Sequence, residues 1–140
     1  MFALEVRDHV MIAHSLPGDA FGPAQGMHGA TFVVDAAFYR EELTDNDFVV
    51  DIGLASEVLK EVLAKINYKN LDELDVFDGR RSTTEVLAKW IFTQLANAIA
   101  DGRLGEDARG ISKLRILLKE SHVARAWYEA PISAFPVADA

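Results

Sequence analysis

The chain contains no cysteine. Disulfides, thiolate metal ligands and a cysteine nucleophile are excluded at the outset. Basic residues are also scarce: 14 Lys and Arg stand against 22 Asp and Glu, for a formal net charge of −8. Non-specific nucleic-acid binding draws on phosphate-facing Lys and Arg, so no nucleic-acid partner is expected. A local basic pocket for a small anion stays open. No apolar run approaches the ~20 residues of a membrane span, and no membrane partner is expected. The first twelve residues carry Glu5, Arg7 and Asp8 inside their apolar pattern, unlike a secretory signal. The expectation is a cytoplasmic protein.

What is present suits one soluble domain over residues 1–140, half apolar and 26% charged. Phe2, Leu4, Val6, Val10, Ile12 and His14 share one parity and predict a strand over 2–14, with His9 on the opposite face. Pro17-Gly18 and Gly22-Pro23 mark a loop over 15–27, and a second strand follows over 28–39. Ala55, Leu59, Val62, Leu63 and Ile66 recur at helical spacing and predict a helix over 54–66. Residues 67–81 are polar and irregular. A second helix starts at Ser82, where Ser82-Thr83-Thr84-Glu85 reads as a capping box, and it buries Leu87, Ile91, Leu95 and Ile99. Strands are predicted over 111–119 and 122–129, and the tail from Pro131 to Ala140 has no clear pattern.

This order, β-β-α-α-β-β, implies an α+β fold: a four-stranded antiparallel sheet with both helices on one face. The other face is left bare for subunits to associate through.

One stretch carries the chemistry. From Ala13 to Ala30 the chain reads A-H-S-L-P-G-D-A-F-G-P-A-Q-G-M-H-G-A. His14 closes the first strand and His28 opens the second, so antiparallel pairing brings the two imidazoles together. Alternate residues of a strand share a face, and an H…H-x-H pattern across two strands would supply the three ligands of a catalytic zinc site. Ala30 stands at the third position. On residues alone, histidines at strand ends are more often surface or hydrogen-bonded residues than ligands. Both were expected on the bare face.

Ala13-His14, Met27-His28-Gly29, Lys69-Asn70-Leu71-Asp72, Ser82-Thr83-Thr84-Glu85 and Leu118-Lys119-Glu120 follow one another in an order that resembles the 6-pyruvoyl tetrahydropterin synthase and 6-carboxytetrahydropterin synthase family. The resemblance runs from residue 2 to about residue 130. It implies the T-fold (tunnelling fold), in which trimers close a barrel and stack in pairs into a homohexamer with sites between subunits. It implies a zinc ion held by three histidines, of which His14 and His28 match two and Ala30 replaces the third. It implies a catalytic cysteine four residues before the H-G-H, where this chain has Ala24. Gln25 beside it is not the glutamate of a cousin subgroup either. The family's Asp-His pair falls on Asn67 and Tyr68. The pterin-gripping carboxylate matches Glu120, with Thr83, Thr84 and Glu85 lining the same pocket. A 2-amino-4-oxo pterin offers adjacent N–H donors, which one carboxylate accepts in a bidentate pair.

The family reaction implied by the resemblance acts on 7,8-dihydroneopterin triphosphate. Zinc polarises side-chain oxygens, a base removes a neighbouring proton, and triphosphate leaves. The usual base is missing here, so the standard reaction is not expected. Tyr68 and His122 are the candidate replacements, His122 because it shares strand parity with Glu120. Arg80-Arg81 reads as a phosphate contact or as a solvated charge pair. The expectation is a divergent homologue that binds a pterin-like ligand between subunits, near a weakened zinc site, with altered lyase chemistry. The alternative is a non-catalytic pterin- or purine-binding protein, or a structural T-fold protein.

Overall fold

The computed structural model describes residues 1–132; most of the unpatterned tail lies outside the described residues. Two long strands, β1 (Phe2–His14) and β2 (His28–Arg40), form an antiparallel ribbon in register from Phe2↔Arg40 to His14↔His28. Helix α1 (Ile52–Ala64) follows, then a two-residue strand β3 (Lys69–Asn70), helix α2 (Thr84–Ala100), and the hairpin of β4 (Lys113–Lys119) and β5 (Arg125–Pro131). The sheet order is β3-β1-β2-β4-β5, with β3 parallel to β1 and every other pair antiparallel.

The sheet therefore has five strands and is mixed, where the sequence pattern predicts four antiparallel ones. The extra strand comes from the polar segment after α1. Tyr68 N–H donates to Met11 O at 2.7 Å, and Asn67 Oδ1 accepts from Met11 N–H at 3.0 Å. Two residues are too few for hydrophobic alternation to announce a strand.

Both helices pack on one face, as the element order implied. Even-numbered residues of β1, β2 and β4 point inward: Val6, Val10, Ile12, Phe32, Val34, Phe38, Leu114, Ile116 and Leu118. They meet Val58, Leu59 and Val62 of α1 and Leu87, Ile91 and Leu95 of α2 in one core. Asp51 caps α1 by accepting from Leu54 N–H at 3.0 Å. Arg40 closes the far end of β2 by donating to the carbonyls of Glu42 (2.6 Å), Val49 (3.1 Å) and Asp107 (3.0 Å).

This parity overturns one expectation. His14 continues the inward series of Val10 and Ile12, and His28 that of Ala30 and Phe32, so both histidines belong to the helix-covered face at its open end. The opposite face carries a different group. Arg7 grips Asp35 in a bidentate pair at 2.7 and 2.9 Å, and Lys119 approaches the same carboxylate at 4.0 Å. Asp35 is buried, and the hydrogen bonds from Arg7 hold its carboxyl below the ordinary carboxylate range despite that burial. No helix among the described residues is long and apolar enough to cross a membrane.

Candidate functional site

The cross-strand pair His14–His28 forms the centre of the site. The rings meet edge to face with centroids 4.6 Å apart and planes inclined at 64°. His14 is 2% exposed, while His28 is half-buried. His14 Nδ1 lies 3.0 Å from the carbonyl oxygen of Ser82 and 3.0 Å from its hydroxyl. His28 Nδ1 lies 2.9 Å from Gly26 O. A carbonyl oxygen only accepts, so each Nδ1 carries the proton and donates. Each Nε2 is then left as a bare lone pair. His14 Nε2 is buried with no protein partner among the described residues. Burial and the neighbouring His28 hold the His14 pKa below the ordinary histidine value, so the neutral ring is favoured.

Carboxylates approach from two sides. Asp72 and Glu120 both act electrostatically on His14, in the sense that favours its cation, but less than burial opposes it. Asp72 reaches this position through the turn after β3. Asn70 Oδ1 accepts from Asp72 N–H at 3.0 Å, and the Asp72 carboxylate accepts from Ser15 N–H at 3.1 Å and from the Ser15 hydroxyl. Asp72, Ser15 and Ser82 line a cavity of about 360 Å³ with Arg80 and Arg81. Arg81 is already engaged, donating to Pro17 O and lying over the Phe21 ring. Among the described residues, no three His, Asp or Glu side chains gather as a metal site would require.

A family model described as 6-pyruvoyl tetrahydropterin synthase matches residues 3–131. The chain belongs to the 6-pyruvoyl tetrahydropterin synthase family. It is 33% identical over 96 residues to 6-carboxy-5,6,7,8-tetrahydropterin synthase of Bacillus subtilis (strain 168), a match that takes in 65% of this chain and 63% of that relative. Its fold is that of the 6-pyruvoyl tetrahydropterin synthase of Caenorhabditis elegans, with a TM-score of 0.76 at 20% identity over 92% of this chain and 95% of the other. The Plasmodium falciparum 6-pyruvoyl tetrahydropterin synthase structure gives 0.68 at 18% identity, over 92% and 98%. The T-fold expected from the motifs is thus the fold of this chain, with β3 as an addition to the four strands anticipated.

Placed on that family fold, the expected residues separate into groups. His14 and His28 come together, and Glu120 stands at the same end of the sheet, exposed just beyond β4. His122 does not share its parity. It occupies the exposed β4–β5 turn, which Glu120 and Ser121 close by donating backbone N–H groups to Ala124 O. The strand predicted from 122 begins only at Arg125.

The cap lies one residue later than the box implies, which puts Val86 instead of Glu85 at the third helical position, so the reciprocal box does not form. Thr83 caps α2 by accepting from Val86 N–H at 3.2 Å, Thr84 is buried in the first turn, and the Ser82 hydroxyl turns to His14 instead. Glu85 opens into a neighbouring cleft of about 540 Å³ walled by Phe77, Trp90 and Tyr128, apart from the cavity beside Ser82. Tyr68 stands at the sheet edge beside Met11, 78% exposed, with φ of 59°.

The residues that sequence reasoning passed over are Ser82 as partner of His14 and Asp72 as partner of Ser15. Both sat inside motifs already singled out, S-T-T-E and K-N-L-D. Their roles depend on contacts 68 and 57 residues away along the chain, which no local pattern reports.

Proposed function

We propose that this chain binds a pterin-like heterocycle of the dihydroneopterin triphosphate type between subunits, beside a zinc ion on His14 and His28, with lyase chemistry altered from that of its family. One observation carries the reading: both histidines tie Nδ1 to a backbone carbonyl and leave Nε2 free, the arrangement a metal-ligating imidazole adopts. The residues fit a two-imidazole half-site and not a three-ligand one, since Ala30 cannot ligate and no other side chain among the described residues takes its place. Zinc, when bound, would supply Lewis-acid polarisation of substrate oxygens.

The chain's own residues hold and orient the ligand. Glu120 accepts the paired N–H donors of the heterocycle, and its exposure beyond β4 leaves both oxygens available. Assembly as a homohexamer, a dimer of trimers, is supported by the sheet edges. Among the described residues strand β3 covers only Ile12 and Ala13 of β1, so the edge from Phe2 to Val10 has no neighbouring strand and is open to another copy.

The second reading, a pterin-binding protein without turnover, is favoured by Ala24 in place of the expected base and by the exposure of Tyr68 and His122. Two measurements decide. Metal analysis of protein purified without chelator is expected to give near-stoichiometric zinc in wild type and none in His28→Ala. Equilibrium titration with a dihydropterin is expected to saturate at one site per subunit, and triphosphate release then separates turnover from binding alone. A wild type that takes up neither zinc nor pterin overturns the proposal.

A further inference from the structure

We propose that Ser82 is the positioning residue of the histidine pair: its carbonyl and hydroxyl together hold the Nδ1–H of His14 and so fix Nε2 as the open nitrogen. The inference rests on the half-site reading above and names the device that sets it. Three observations converge. Both Ser82 oxygens lie 3.0 Å from His14 Nδ1. Ser82 is 6% exposed, so its hydroxyl has little access to water. Thr83, not Ser82, caps α2, so the Ser82 hydroxyl is released from the helix end and is free to serve the imidazole.

The chemistry selects one tautomer. A bare Nδ1 would face the lone pairs of the Ser82 carbonyl at 3.0 Å, a repulsive contact, and would leave an N–H on the buried Nε2 with no acceptor among the described residues. With the proton on Nδ1, the carbonyl and hydroxyl share it, and Nε2 keeps its lone pair. The ring also loses its freedom to flip, because a flip would surrender both contacts. Ser82 immediately precedes the α2 cap, so the start of α2 and the histidine pair move as one unit. A partner of this kind commonly changes metal affinity by about 10- to 100-fold.

The test is side-chain ¹⁵N NMR of His14 in metal-free protein, followed by Co²⁺ titration, on wild type, Ser82→Ala and Ser82→Thr. Wild type is expected to show a single tautomer with the proton on Nδ1. Ser82→Ala keeps the carbonyl, so it is expected to keep the Nδ1–H form, to broaden the His14 ring resonances through freer ring rotation and to bind Co²⁺ about tenfold more weakly. Ser82→Thr, which keeps the hydroxyl, is expected to restore both. A wild-type spectrum with the proton on Nε2 overturns the proposal without recourse to any variant. Unchanged ring resonances and unchanged affinity in a folded Ser82→Ala overturn it as well. If wild type binds no metal while Ser82→Ala still loosens the His14 ring, the positioning role stands and the half-site reading falls.

Discussion

Replacing Ala30 with histidine should rebuild the missing third of the metal site. Ala30 lies two residues beyond His28 on the same face of β2 and pairs across the ribbon with Ile12, so a new imidazole there joins the same end of the sheet. Structural zinc sites of four ligands are worth roughly 10–16 kcal/mol in all, or about 3 kcal/mol per ligand. Freezing the new side chain costs on the order of 1 kcal/mol. The net gain of ~2 kcal/mol corresponds to roughly 30-fold tighter zinc binding.

Competition against a chelator of known affinity measures this directly. Thermal melts with and without zinc give an independent reading, because a ligand bound only by the native state stabilises it by mass action. Ala30 packs against the core, so the larger ring costs some stability in the metal-free protein, and melts in chelator record that loss separately. A folded Ala30→His protein whose zinc affinity stays within about threefold of wild type, under half a unit on the logarithmic scale, would refute the reasoning. The two native imidazoles would then not be presenting Nε2 to a common point.

Glu120→Gln removes a charge-assisted pair and should weaken pterin binding by about 1.5–3 kcal/mol; an unchanged Kd in a fluorescence titration would remove Glu120 from the site. Gly110→Ala would drive a Cβ into Arg40 Nη2 and to 3.1 Å from its Cζ, and Arg40 is pinned by three carbonyls. Losing one such bond should cost about 2 kcal/mol, read by urea unfolding, and Gly110→Ala should cost almost nothing in an Arg40→Ala background. Asp35 has a lowered pKa, so its contribution to stability is present above the unfolded carboxylate pKa of about 3.9 and is lost as pH falls through the lower folded value. The stability advantage of wild type over Asp35→Asn should therefore be constant near neutrality and shrink below about pH 4; an advantage that grows with acid would contradict the Arg7 pairing.

The long elements were readable because their burial is periodic. Strand β1 alternates without a break from Val6 to His14, and α1 and α2 each keep an apolar stripe. Boundaries moved where side chains compete for backbone groups. Thr83 displaced Ser82 as cap, and the turn at 120–124 consumed residues whose composition suits a strand. The face of the histidine pair was misjudged for a different reason. Parity puts His14 with Val10 and Ile12, the row the helices cover, whereas the sequence reading assigns the pair to the bare face, and the structure follows parity. Strand β3 and the Ser82 and Asp72 contacts could not be read at all, since each depends on a segment far along the chain.

The burial of His14 bears on whether the site still works. A side chain at this position with only a packing duty would be better served by an aliphatic residue, as at Val10 and Ile12 in the same row. An imidazole brings two nitrogens, and one of them, Nε2, is buried without a protein partner among the described residues. Leaving a polar atom in that state costs roughly 1–3 kcal/mol. The chain bears that cost while also committing Ser82 to hold the other nitrogen and Gly26 O to hold the same atom of His28. By contrast, positions 24, 30, 67 and 68 carry Ala, Ala, Asn and Tyr, with no comparable investment in a proton carrier or a third ligand. The residues proposed to bind and orient are kept, and those that would move a proton are not. That asymmetry favours a site that still takes a ligand, and it makes ligand affinity, ahead of turnover, the first property in which variants of His14, His28 and Glu120 should differ.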